Sequence, residues 1–115
     1  MNIALFASGR GTNVQAILDQ IRPDHVPVQA QCLVCNVQDA PVIDLAKDYG
    51  LPLLVLDSKG VSRTDWEREV LAYLSQYEID YIVLAGFMRL LSPSFIDHFK
   101  DHILNIHPSL LPNYP

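Results

Sequence analysis

Cations are scarce in this sequence: eight Lys and Arg stand against thirteen Asp and Glu, a net charge of −5. That balance excludes a broad nucleic-acid surface and leaves any anionic ligand to a few local donors. Arg10, Arg63 and Arg89 are the cations to follow. Long apolar runs are missing too; none reaches the roughly 18 residues of a membrane span. Met1-Asn2-Ile3 has no basic start of a secretion signal, so no membrane partner and a cytoplasmic location are expected. Cysteine is limited to Cys32 and Cys35. They form a C-x-x-C within a segment, 28–35, that reads as a strand, where positions three apart face opposite sides. At strand rise their Cα atoms stand roughly 10 Å apart, beyond bridging range. Two buried small residues are the expectation, rather than a redox or zinc pair.

What is present is half hydrophobic, enough for one small domain spanning 1–115 with a real core. No repeat, linker or low-complexity tract interrupts it. Short apolar runs alternate with amphipathic stretches. Strands are expected at 3–7, 28–35, 53–56, 81–85 and 103–107. The first helix carries Val14, Ile17, Leu18 and Ile21 on one face; the second carries Val42, Ile43, Leu45 and Ala46, with Gly50 as its stop. Thr64 followed by Glu67 suggests a capping box opening the third, whose stripe is Trp66, Val70, Tyr73, Leu74 and Tyr77. Ser92 and Pro93 open the fourth, expected to pack through Phe95, Ile96 and Phe99. Parallel strands with right-handed helical crossovers make an α/β doubly wound sheet with helices on both faces, a Rossmann-like topology. Ligands bind such sheets beyond the carboxyl ends of the strands. That rule directs attention to 8–13, 85–91 and 105–115.

Ser8-Gly-Arg-Gly-Thr-Asn13 joins the first strand to the first helix. Its glycines permit close approach of an anion to main-chain N–H groups at a helix N-terminus, and Thr12 and Asn13 add side-chain donors. A phosphate monoester fits. The plainer alternative is that the glycines answer only to sterics. Val14 stands where a dinucleotide loop has its third glycine, and no Gly-Lys-Ser/Thr is present. Asn105 and His107 are two apart in a strand, so their side chains leave one face at its carboxyl end; Pro108 keeps His107 extended. An amide and an imidazole there suit attack on a carbonyl, one as donor to the developing oxyanion, the other as donor or proton carrier. The alternative is a hydrogen-bonded structural histidine, the role expected for His25, His98 and His102. No carboxylate, His or Cys shares the spacing of a metal set, so no metal is expected.

Three stretches together resemble the phosphoribosylglycinamide formyltransferase family of folate-dependent transferases. Asn105-x-His107-Pro-Ser-Leu-Leu-Pro112 is similar to its signature, Ala85-Gly-Phe-Met-Arg-Leu-Leu-Ser92 to its folate-site loop, and Ser8-Gly-x-Gly-Thr-Asn13 to its substrate-phosphate loop. The resemblance covers the whole chain. It implies direct formyl transfer from 10-formyltetrahydrofolate, as co-substrate, to the amine of glycinamide ribonucleotide in purine synthesis. It assigns Gly11, Thr12 and Asn13 to the ribonucleotide phosphate, and Arg63, Met88, Arg89, Leu90, Leu91 and Asn105 to the folate. Asn105 and His107 become catalytic. It allows a homodimer, and it implies further strands, a mobile loop and an aspartate partner for the histidine beyond Pro115. The 115 residues alone are therefore expected to be nearly inactive. Two relatives share the chemistry, methionyl-tRNA formyltransferase and formyltetrahydrofolate deformylase. The first loop resembles the former poorly, and relatives of the latter carry a regulatory domain before the transferase core. A non-catalytic mononucleotide-binding domain would leave Asn105 and His107 without a role.

Overall fold

The computed structural model describes residues 1–106. Strands β1 (Asn2–Ala7), β2 (Gln29–Cys35), β3 (Leu53–Val55), β4 (Tyr81–Ala85) and β5 (Ile103–Ile106) alternate with helices α1 (Thr12–Ile21), α2 (Val42–Asp48), α3 (Arg63–Leu74) and α4 (Pro93–His98). The strands form one sheet in the order β3-β2-β1-β4-β5, and every pairing is parallel. The expected α/β doubly wound architecture is the one observed. Boundaries move by one or two residues from the sequence expectation, as helix ends and strand edges commonly do.

Central β1 explains the layering. Its residues 3–7 are buried, consistent with a strand covered on both faces. Ile3, Leu5 and Ala7 join Val14 and Leu18 of α1 and Val42 of α2 in one core. Ala4 and Phe6 join Trp66, Val70 and Leu74 of α3 and Phe95 of α4 in the other. Strand alternation thus feeds two cores from one six-residue segment. Burial of each large side chain such as Phe6 or Trp66 contributes about 1.5–3 kcal/mol, and the Trp66 indole N–H reaches Leu56 O at 2.7 Å. Cys32 belongs to the second core and Cys35 to the first, so both thiols are free and face opposite ways. Burial pushes Cys32 up to about 12.

Helix ends follow local chemistry in three cases and depart from it in one. Ser92 caps α4, its hydroxyl accepting from Phe95 N with Pro93 in the first turn. Gly50, at φ 67°, closes α2: Gly50 N donates to Lys47 O and Leu51 N to Ala46 O, a Schellman stop. Gly11 opens α1 from the left-handed region. The capping box expected at Thr64 and Glu67 does not form. Ser62 caps α3 instead, accepting from Asp65 N. That frees the Glu67 carboxylate, 6% exposed, to accept from Ser92 N at 2.7 Å and from the Ser92 hydroxyl. A tertiary partner outcompetes the local one. Ile96 also departs from expectation: α4 is only six residues long and buries Phe95, leaving Ile96 46% exposed. Tyr77 lies beyond the end of α3 but still packs on the second core and contacts Tyr73 edge-on.

Candidate active site

The strand order reverses direction of growth between β1 and β4, which makes their carboxyl ends the switch point of the sheet. The loops leaving these strands meet there, with Ser8 N donating to Gly86 O at 3.2 Å. A cavity of about 210 Å³ opens between them, lined by Gly9, Arg10, Gly11, Thr12, Asn13, Ala85, Gly86 and Met88. The first turn of α1 faces it, and no side chain caps that helix. Its N–H groups and the positive end of the dipole are therefore directed at whatever fills the cavity.

The two glycines of the loop have different duties. Gly11 sits at φ 84°, and a Cβ there would lie 2.7 Å from Val42 Cγ2 and 2.9 Å from Leu45 Cδ2. Its identity is dictated by the packing of α2, as the steric alternative anticipated. Gly9 has no heavy atom within 4 Å of where a Cβ would stand. Its carbonyl accepts from Val42 N at 3.0 Å, which fastens the loop to α2 while leaving its outer side open. Gly86, at φ 74°, faces Asn13: a Cβ there would meet the Asn13 amide nitrogen at 3.7 Å. Arg10 was absent from the sequence-based site; it is the cation among the residues lining this cavity, and is exposed.

A second cavity, about 560 Å³, lies on the α3–α4 side of β4. Leu84 and the 87–91 stretch line it together with Ile96, Ile103 and Asn105. Met88 lines both cavities, so they adjoin. Met88 is 83% exposed and Leu90 76%, a concentration of accessible apolar surface that a monomeric protein rarely leaves without purpose. Asn105, exposed and paired in register with Leu84, presents an amide at the rim of this apolar space. Its expected companion, His107, lies outside the described residues.

Arg89 is not a solvated surface charge. Nη1 donates to Ser58 O at 2.9 Å and Nη2 to Val61 O at 3.2 Å, with the guanidinium carbon 5.6 Å from the centre of the Trp66 ring. The arginine that interrupts the apolar run ties the 86–91 loop to the segment before α3. Arg63 stands apart: it is exposed at the first turn of α3 and lines neither cavity. The structure thus brings Gly11, Thr12, Asn13, Met88, Arg89, Leu90, Leu91 and Asn105 to one crevice, and does not bring Arg63 there. Among the described residues, no group of three or more His, Cys, Asp and Glu side chains could hold a metal ion, and no helix is long and apolar enough to cross a membrane. His25, His98 and His102 are exposed and line neither cavity.

Comparison with known proteins gives a consistent result. The family model described as Formyl transferase matches residues 1–115. The phosphoribosylglycinamide formyltransferase of Escherichia coli K12 is 40% identical over 116 aligned positions, covering 100% of this chain and 55% of the relative; that of Bacillus subtilis is 34% identical, covering 97% and 58%. Among solved structures, glycinamide ribonucleotide transformylase 1 from Geobacillus kaustophilus superposes with a TM-score of 0.87 at 42% identity, covering 99% of this chain and 61% of that one. The chain spans little more than half the length of the curated relatives it matches. The match to the family model covers every residue: the chain belongs to the formyl transferase family.

Proposed function

We propose that this chain supplies the nucleotide-binding and catalytic-motif portion of an enzyme that moves the formyl group of 10-formyltetrahydrofolate to the amine of glycinamide ribonucleotide. The single observation that carries this reading is the junction of the two cavities at Met88. One side offers main-chain N–H groups to an anion; the other offers an apolar slot with an amide at its rim. A phosphorylated amine and a flat, largely apolar formyl donor placed in these spaces bring their reacting ends together where the cavities adjoin.

In this reading Gly11, Thr12 and Asn13 hold the ribonucleotide phosphate, and Arg10 adds a cation close by. Met88, Leu90 and Leu91 cover the donor's ring system, with main-chain groups of the loop reading its polar edge. Arg89 serves through the loop it holds. Arg63, a cation in a helix first turn where the dipole disfavours it, is assigned to the far, acidic end of the donor. The amine nitrogen attacks the formyl carbon, and the carbonyl oxygen takes up the electron pair. Asn105 donates to that oxygen through its NH₂ group. The nitrogen gives up a proton as the tetrahedral carbon collapses, the bond to the donor nitrogen breaks, and that nitrogen is protonated. His107 is assigned to the oxyanion and the proton on its sequence position alone. A cytoplasmic location and small-molecule partners follow from the same reading.

The test is a single-turnover assay of the full-length protein carrying this sequence, with glycinamide ribonucleotide, formylatable methionyl-tRNA and water offered as alternative acceptors. Formylation of the ribonucleotide, faster by orders of magnitude than of the others, is expected. Hydrolysis without transfer, or preference for the tRNA, overturns the reading.

A further inference from the structure

Behind the crevice, three buried or half-buried polar side chains form a hydrogen-bonded row that the proposed chemistry does not use. Ser8 follows β1, Asn36 follows β2 and Ser58 follows β3, so the row crosses the carboxyl ends of three neighbouring strands. The Ser8 hydroxyl donates to Asn36 Oδ1 at 2.5 Å and accepts from Met88 N at 2.8 Å. A hydroxyl has one proton, so these two contacts fix its orientation. Asn36 Nδ2 donates to Ser58 Oγ at 3.2 Å, and Ser58 N donates to Asn36 O at 3.1 Å. Ser58 O in turn receives the Arg89 guanidinium. Met88 and Arg89, adjacent in sequence, are therefore held from opposite ends of one row whose middle member is Asn36, 4% exposed.

That arrangement matters because Met88 itself gains little from packing. Met88 and Leu90 bury little of their own surface, whereas Phe87 packs on Phe6 and Trp66 and Leu91 on the second core. Between those packed neighbours, the main chain at Met88 is held by a directional polar contact. We propose that Ser8, Asn36 and Ser58 are positioning residues for formyl transfer: they fix the main chain at Met88, the shared wall of the two cavities, and so set the alignment of donor with acceptor. The inference rests on the functional reading above and adds to it residues that touch neither substrate. It also gives Ser8 a duty distinct from that of the glycines beside it. Its hydroxyl faces inward, 7% exposed, and contacts the opposite loop.

The experiment compares full-length wild type with Ser8→Ala, Ser8→Thr and Ser58→Ala in three measurements: amide hydrogen exchange across 86–91, KM for each substrate, and kcat. Ser8→Ala should accelerate exchange at the Met88 amide and raise the donor KM about five- to tenfold, the range expected for one lost buried contact. The ribonucleotide KM should change less. Ser8→Thr, which keeps the hydroxyl, should restore most of the donor KM. Ser58→Ala should act in the same direction by about two- to threefold, and reports on the row should Ser8→Ala not fold. Unchanged exchange at Met88, or equal rises in both KM values without rescue by threonine, overturns the proposal. Wild-type enzyme that transfers no formyl group instead refutes the functional reading, while the exchange measurement still decides whether the row holds the loop.

Discussion

The loops after β1 and β4 wall the same crevice, yet they differ in how much of their surface is packed behind them. Residues 9–13 are backed by α2, with Gly11 against Val42 and Leu45 and the Gly9 carbonyl accepting from Val42 N, and Val14 is fully buried one residue past the cavity. Residues 86–91 are packed through Phe87 and Leu91 but expose Met88 and Leu90, and hydrogen bonds hold the stretch through Ser8 at Met88, through Ser58 and Val61 at Arg89, and through Glu67 at the following Ser92. The phosphate side inherits its shape from the core. On the apolar side the exposed Met88 is positioned by a directional contact between packed neighbours, because its own apolar surface faces the cavities.

Substitutions can break that contrast in order of severity. The largest effect is expected where the two sides meet the chemistry: Asn105→Ala in the full-length enzyme should lower the single-turnover rate about a hundred- to thousandfold, while equilibrium binding of both substrates changes little. Binding losses of the same size would reassign Asn105 to recognition. Next comes the phosphate wall. Gly11→Ala forces a left-handed alanine into Val42 and Leu45 and should cost about 2–4 kcal/mol in chemical denaturation. Gly9→Ala, with open space around it, should cost under about 0.5 kcal/mol and weaken the ribonucleotide only. Equal destabilisation by both would erase the distinction drawn between the two glycines.

The apolar wall should respond in the opposite sense. Arg89→Ala removes two charge-assisted contacts and a cation–π contact; donor KM should rise about tenfold with roughly 1–2 kcal/mol of stability lost. A melting-temperature loss with no kinetic change would make Arg89 a purely structural tie. The smallest effect concerns the core below both loops. Cys32 is pushed by burial from 9.0 up to about 12, so the folded state disfavours its thiolate. The stability this contributes is complete below pH 9 and is lost as pH climbs from there through about 12. Denaturation midpoints measured at pH 8 and 10.5 should fall more for wild type than for Cys32→Ala, and an identical fall would remove Cys32 as the cause.

How much of this was legible beforehand differs by level. The alternation of Ile3–Ala7, Tyr81–Ala85 and the amphipathic helices specifies the layers, because strand and helix periods are local properties of a chain. Gly50 and Ser92 were readable as helix signals for the same reason: each acts on main-chain groups a few residues away. Thr64 and Glu67 looked equally local but were misleading. Glu67 found a better partner 25 residues on, and no pattern within one helix reports that. Ile96 failed similarly, since a six-residue helix has too few positions for periodicity to say which apolar residue faces inward. Ser8 was visible within the loop after the first strand, but nothing in that segment says that it meets Asn36.

By itself, then, the order of residues determined the alternating elements, the parallel sheet and the placement of Ser8–Asn13, Ala85–Leu91 and Asn105 at one edge, since these follow from periodicity and the handedness of crossovers. Which glycine is steric and which is open, that Arg89 turns inward to two carbonyls, and that Met88 is shared by two cavities were decided only on folding. Those properties depend on distances between segments remote in sequence, and such distances exist only once the sheet has brought β1, β2, β3 and β4 side by side.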